Sequence, residues 1–112
     1  MNNTIQIFEY KEFGAIRTMS DEKGEPLFCA KDVCDALGYK RVSYAISGRV
    51  EEEDTVKCRT LTNGGAQLML YINESGLYSL ILSSKLEAAR RFKHWVTSEV
   101  LPSIRKQGGY MV

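Results

Sequence analysis

A single histidine, no serine in a nucleophile elbow, no phosphate-cradling glycine loop and no paired carboxylates in a recognisable setting leave no acid, base and nucleophile to assemble. The chain therefore reads as a non-enzyme. The best enzymatic alternative is a nuclease using the acidic run at residues 51–54 with Lys57, but that run lacks interleaved ligands at fixed spacing and reads as a solvated turn. Three cysteines, Cys29, Cys34 and Cys58, are an odd number with no Cys-x-x-Cys spacing, which argues against a disulfide framework and fits reduced thiols in a cytoplasm. With His94 they formally compose a Cys3His zinc set, yet buried cysteine acting as a small hydrophobe is the more usual state, so no metal and no cofactor is expected. No apolar run approaches membrane-spanning length, and the Met-Asn-Asn-Thr start lacks a basic region followed by an apolar core. The expectation is a soluble, unexported protein. Internal repeats, low-complexity segments and linkers are also missing.

What is present is one domain's worth of ordinary globular composition: 112 residues, 44% hydrophobic and 26% charged. The net charge is only +1, but it is segregated. Residues 85–106 carry six basic side chains against two acidic, a local +4, and the remainder carries nine against twelve, a local −3. Such a field can attract a polyanion locally although the total is nearly neutral, while a solvated helix face is the bland alternative.

Residues 5–10 and 13–19, rich in β-branched and aromatic side chains and separated by Lys11-Glu12, predict a hairpin. After a turn at residues 20–24, residues 26–29 can add a short strand with Pro26 at its beginning or on an edge. Arg17 falls within the second strand and either projects to a ligand or, as is ordinary for such a residue, lies on the strand's solvent face. Residues 30–37 predict a short helix with Val33, Ala36 and Leu37 inward, stopped by Gly38, and residues 42–48 predict another with Val42, Ala45 and Ile46 inward. Helix, glycine turn, helix is the outline of a helix-turn-helix. In that reading Lys40, Arg41, Ser43, Tyr44, Ser47 and Arg49 lie on or beside the second helix and suit phosphates and base edges; otherwise the pair is an ordinary helical corner. The acidic run that follows repels phosphates. Residues 55–61 and 66–72 read as strands, with Asn63-Gly64 supplying the positive backbone angles of a tight hairpin, or a longer loop through Gly65. That hairpin, with Lys57 and Arg59 nearby, either reaches a groove or partner or is simply a connection.

The C-terminal third predicts two helices. Asn73 can cap the first, with Leu77, Leu80, Ile81 and in addition Leu82 as its buried stripe. Ser84 and Glu87 stand at capping-box spacing and predict a second start at Lys85. Leu86, Ala89, Phe92, Val96, Val100 and Ile104 then recur on one side of a cylinder with about 3.6 residues per turn. Arg90, His94, Thr97, Ser98 and Arg105 share another side, flanked by Arg91 and Lys93. Pro102 should kink this helix or restart it with Pro102 in the first turn, and Gly108 and Gly109 end it. Trp95, about 100° round from the apolar stripe, is either a base-stacking or interface residue or, as favoured here, a packed one. Tyr78 is likewise read as structural.

Glu74-Ser-Gly-Leu-Tyr78, Leu80-Ile81 followed by Ser84, Ala89 with Phe92, Trp95-Val96 and Val100-Leu-Pro-Ser-Ile-Arg105 followed by Gly109-Tyr110 resemble the BRO N-terminal domain, found in baculovirus repeated-ORF proteins and in phage and prophage antirepressors. Gly14 with Ile16-Arg17-Thr18, Phe28, Asp32-Val33-Cys34 and Leu37-Gly38-Tyr39 extend the resemblance over almost the whole chain. It implies a viral or prophage DNA-binding module, commonly joined to a different C-terminal domain. The combined expectation is an α+β domain over residues 1–107, in which short antiparallel strands and hairpins pack with a helical pair and two C-terminal helices. Residues 108–112 would be a tail or a junction to an absent C-terminal region.

The expected function is a DNA-binding module of an antirepressor-like transcription regulator in the cytoplasm of a bacterial host. It would hold double-stranded DNA through Lys40, Arg41, Ser43, Tyr44, Arg49, Arg90, Arg91, Lys93, Arg105 and Lys106. The alternative is a protein-interaction module that binds a repressor or host regulator, with DNA affinity incidental. A homodimer is compatible with either.

Overall fold

The computed structural model describes residues 5–107. Five strands, β1 (Gln6–Tyr10), β2 (Gly14–Ser20), β3 (Pro26–Cys29), β4 (Thr55–Thr62) and β5 (Gly65–Ile72), form one antiparallel sheet in the order β1-β2-β3-β5-β4. Helices α1 (Ala30–Ala36), α2 (Val42–Arg49), α3 (Glu74–Ser83), α4 (Ala89–Trp95) and α5 (Leu101–Gln107) complete the α+β fold. The main core joins sheet residues Ile16, Phe28 and Ile72 to side chains from all five helices. A smaller cluster of Met19, Leu27, Cys29 and Tyr71, drawn from strands alone, lies on the opposite face. The helices therefore cover one face of the sheet.

The expected first hairpin forms, but Phe13 belongs to its turn rather than to β2. Its amide donates to the Tyr10 carbonyl (3.1 Å) and its ring is buried, because Phe92 meets it edge-on at 5.0 Å and Trp95 lies 6.0 Å away. Pro26 opens β3, which is central and buried at every residue. β3 runs straight into α1, with extended Cys29 as the last residue before the helix.

That junction is held by Arg17. Its Nε and Nη2 donate to the two carboxylate oxygens of Asp32 in the first turn of α1 (2.8 and 2.9 Å), and its backbone amide donates to the same group (2.9 Å). Arg17 is thus a structural tie between β2 and α1, and its side chain is only 25% exposed.

Gly38 follows α1 with φ +83°, and a Cβ there would lie 2.7 Å from Leu86 Cδ1. Both backbone angle and space call for glycine. Tyr39 then donates from its hydroxyl to the Leu80 carbonyl (2.8 Å), tying the helical corner to α3.

The second hairpin forms in the expected register, but its positive φ is at Gly65 (+100°) and not at Asn63 or Gly64. The remaining turn residues therefore keep negative angles, which asparagine adopts without strain. Residues 51–54 make a 3-10 turn at Glu52–Asp54, as a solvated acidic run should.

Asn73 caps α3, its Oδ1 accepting from the Gly76 amide (2.9 Å), while its Nδ2 donates to Asp54 Oδ1 (3.0 Å). Leu77, Leu80 and Ile81 are buried as expected, whereas Leu82 is 81% exposed. The predicted capping box fails: α4 begins at Ala89, not Lys85. Ser84 instead closes α3, its hydroxyl donating to the Leu37 carbonyl (3.1 Å) and accepting from the Leu86 amide (3.2 Å). This occupies the oxygen that a capping box would use, and Leu86 is left 46% exposed against Gly38.

Ala89, Phe92, Val96, Val100 and Ile104 are buried as the period predicts. Between α4 and α5 the backbone widens into a π-helical turn at Val96–Val100, where the apolar period predicts a regular helix kinked or restarted at Pro102. Its cause is adjacent: Pro102, in the first turn of α5, has no amide to continue the regular ladder. The Leu101 amide reaches back to the Val96 carbonyl, while Thr97 and Ser98 hydroxyls donate to the Lys93 and His94 carbonyls. Gly108, Gly109 and Tyr110 lie outside the described residues.

Burial, the largest single influence on Asp32, pushes its carboxyl up; the Arg17 hydrogen bonds and charge outweigh it and hold the group below its ordinary 3.8. Its stabilising contribution is therefore complete above that value and is lost as pH falls through the lower folded value. Asp32→Asn should cost roughly 2–4 kcal/mol at neutral pH. It should also flatten the fall in stability below about pH 4, as read by urea unfolding across that range.

Candidate nucleic-acid interface

The predicted site residues fall into two groups separated by α3, which packs against both α2 and α4. In the first group Lys40, Arg41, Ser43, Tyr44, Ser47 and Arg49 are all exposed, because Ala45 and Ile46 take the inward face of α2. Arg41 lies over the Tyr44 ring (5.4 Å) and Arg49 over the Tyr39 ring (5.0 Å). Tyr44 is 72% exposed, a large aromatic face presented to solvent.

The second group divides by charge pairing. Arg91 makes a two-pronged pair with Glu12 in the β1–β2 turn, Nε to Oε1 at 3.0 Å and Nη2 to Oε2 at 2.6 Å. Arg105 pairs with Glu74 at the start of α3 (3.1 Å), where the carboxylate also accepts from the Tyr78 hydroxyl (3.2 Å). Arg90, Lys93 and Lys106 are exposed and make no ion pair among the described residues. Lys85, part of the same basic stretch, is exposed too, on the segment before α4. Two of the cations in the basic stretch are therefore engaged by acids from outside it. The hydrogen bond to Arg91 lowers the Glu12 carboxyl from its ordinary value. No periodicity signals these partners, since Glu12 and Arg91 are 79 positions apart.

Trp95 is packed, not poised for a ligand. It is 5% exposed and shares a ring cluster with Tyr10 (5.4 Å), Phe13 and Phe92. Cys34 is buried, and desolvation pushes its thiol up to about 11; the same cause raises Cys29 and Cys58. Among the described residues no group of three His, Cys, Asp or Glu side chains could hold a metal, and no helix is long and apolar enough to cross a membrane.

The fold is a small α+β domain with cations displayed on and beside helices that cover one face of a sheet. The chain belongs to the BRO family, N-terminal domain, whose profile matches residues 15–102. This family is broadly one of nucleic-acid-binding, antirepressor-like regulatory domains. The whole chain is 40% identical over 114 residues to an uncharacterized protein of Haemophilus influenzae, covering 56% of that relative. It is 36% identical over 138 residues to a Bro-N domain-containing protein of Invertebrate iridescent virus 6, and 37% identical over 140 residues to a second from the same virus, covering 33% of each. The chain thus spans about a third to just over half the length of these relatives. No solved structure matches it significantly.

The ring cluster makes two outcomes concrete. Trp95→Ala should destabilise by about 3–5 kcal/mol, as removal of a packed aromatic does. In the parent chain Trp95 emission should be blue-shifted, poorly quenched by iodide and unchanged when DNA is added. An iodide-accessible indole quenched by DNA would instead place it at the ligand.

Proposed function

We propose that this chain is the DNA-binding module of an antirepressor-like transcription regulator, phage- or prophage-encoded and acting in the cytoplasm of a bacterial host. Duplex DNA is held mainly through phosphate contacts from Arg90, Lys93 and Lys106 on one side of α3 and from Lys40, Arg41 and Arg49 on the other. The observation that carries this reading is the set of exposed cations without acidic partners among the described residues, on or just before the helices either side of α3, in a chain whose whole-molecule charge is only +1. Cations already neutralised by Glu12 and Glu74 would release fewer counterions on binding, so the affinity rests on the free ones. Ser43 and Tyr44, exposed on α2, supply the contacts to base edges. Arg91 and Arg105 join only by exchanging a carboxylate for a phosphate.

A second reading, a module that binds a repressor or host regulator, is favoured by Leu82 in the last turn of α3 and Leu86 in the segment after it, which are 81% and 46% exposed. Such a module forms a discrete protein complex without DNA.

Fluorescence anisotropy of a labelled random duplex at two salt concentrations separates the two. Binding should weaken with salt, and Arg90→Ala/Lys93→Ala should reduce both affinity and salt slope, the slope by about 1–2. Glu12→Gln, which frees Arg91, should raise affinity at low salt. Folded protein that binds neither duplex, single-stranded DNA nor RNA at low salt would overturn the DNA reading.

A further inference from the structure

β3 pairs with β5 only at Phe28↔Ile72 and Cys29↔Tyr71, whereas β4 pairs with β5 from Thr55↔Ile72 to Thr62↔Gly65. The outer part of the second hairpin is therefore a two-stranded arm standing clear of the sheet. Alternation assigns its faces. Ile72 and Leu70 belong to the core beneath the helices, so Leu68 and Ala66, with cross-strand partners Lys57, Arg59 and Leu61, share the helix-side face. On that face Leu61 is 82% and Leu68 65% exposed, and Lys57 and Arg59 make no ion pair among the described residues.

At the root of the same face is a cleft of about 550 Å³, lined by Ile46, Val50 and Leu70, by Ser47 and Thr55, by Glu51 and Glu52, and by Arg49, whose guanidinium lies over the Tyr39 ring. Both glutamates are exposed and have no cationic partner among the described residues. One end of this face thus offers exposed leucines with two cations, and the other a cleft with an apolar floor whose two acids outnumber its one cation, Arg49. The two ends complement each other in shape class and in charge, but a single arm cannot fold back onto its own root.

We propose that the occupant is a second copy of this chain, in a two-fold dimer. Leu61 and Leu68 at the arm of one copy cover the cleft between α2 and the arm of the other, and Arg59 and Lys57 face its Glu51 and Glu52. A self-complementary patch of this kind generates an isologous interface and closes at two copies. A phosphate backbone fits the same surface less well, because the acids repel it and the leucines gain nothing from it.

Sedimentation velocity of the full chain, from low micromolar to several hundred micromolar, tests this. The expected result is a species of twice 12.7 kDa that dissociates on dilution. Leu61→Glu, at a position too exposed to disturb folding, should raise the dimer dissociation constant by roughly tenfold or more. Arg59→Glu should weaken the dimer, and adding Glu52→Arg should restore it. A monomer at every concentration, a dimer indifferent to Leu61→Glu, or an Arg59→Glu defect that Glu52→Arg does not repair would overturn the proposal. So would a monomer in which Leu61→Glu lowers only DNA affinity, which would give the arm to nucleic acid. Anisotropy and mass are separate readouts, so loss of this dimer and failure of the DNA reading are distinguishable.

Discussion

The passage of β3 into α1 without an intervening loop is the constraint on which the rest of the molecule hangs. Cys29 turns the chain from strand to helix in one residue, so the direction of α1 is set by the sheet and not by a connection. Left alone, such a junction could swing about one pair of dihedral angles. Arg17 removes that freedom by holding Asp32 through two side-chain bonds and one backbone bond. A planar guanidinium and a carboxylate fix orientation as well as distance. The position of α1 then places α2, and Tyr39 binds that corner to α3.

Around this joint, charge is used for two purposes. Arg17, Arg91 and Arg105 each tie segments distant in sequence: β2 to α1, the first turn to α4, and the start of α3 to α5. They differ in environment. The Arg17 pair is largely withdrawn from water, whereas Arg91 and Arg105 are exposed, where a salt bridge orients more than it stabilises. Arg90 and Lys93, on the same helix as Arg91, have no such duty. Neighbours of one type on one helix thus separate into structural and displayed cations according to what lies opposite them.

The π-helical turn at Val96–Val100 shows how a local defect is absorbed without disturbing packing. Pro102 withholds one amide, the ladder shifts, and the Thr97 and Ser98 hydroxyls bond back to the Lys93 and His94 carbonyls, yet Val96, Val100, Leu101 and Ile104 all stay in the core. The inward stripe is kept because burial of its apolar side chains outweighs the preference for one hydrogen-bond period.

Local pattern alone determined the two hairpins, the helix stopped by Gly38, the Asn73 cap and, Leu82 excepted, the inward faces of α2, α3 and α4. In each case the deciding force acts between residues close in sequence or through a repeating period. The family was legible for a similar reason, since short motifs in order survive without knowledge of contacts. The inventory of basic residues was legible too. Tertiary structure alone decided which of them are free, because Glu12, Asp32 and Glu74 meet their arginines across 79, 15 and 31 positions respectively. It also overruled the capping box, since the Leu37 carbonyl that claims Ser84 arrives from 47 positions away. Partners brought together by the fold have no period to read, and they settle what each polar group does.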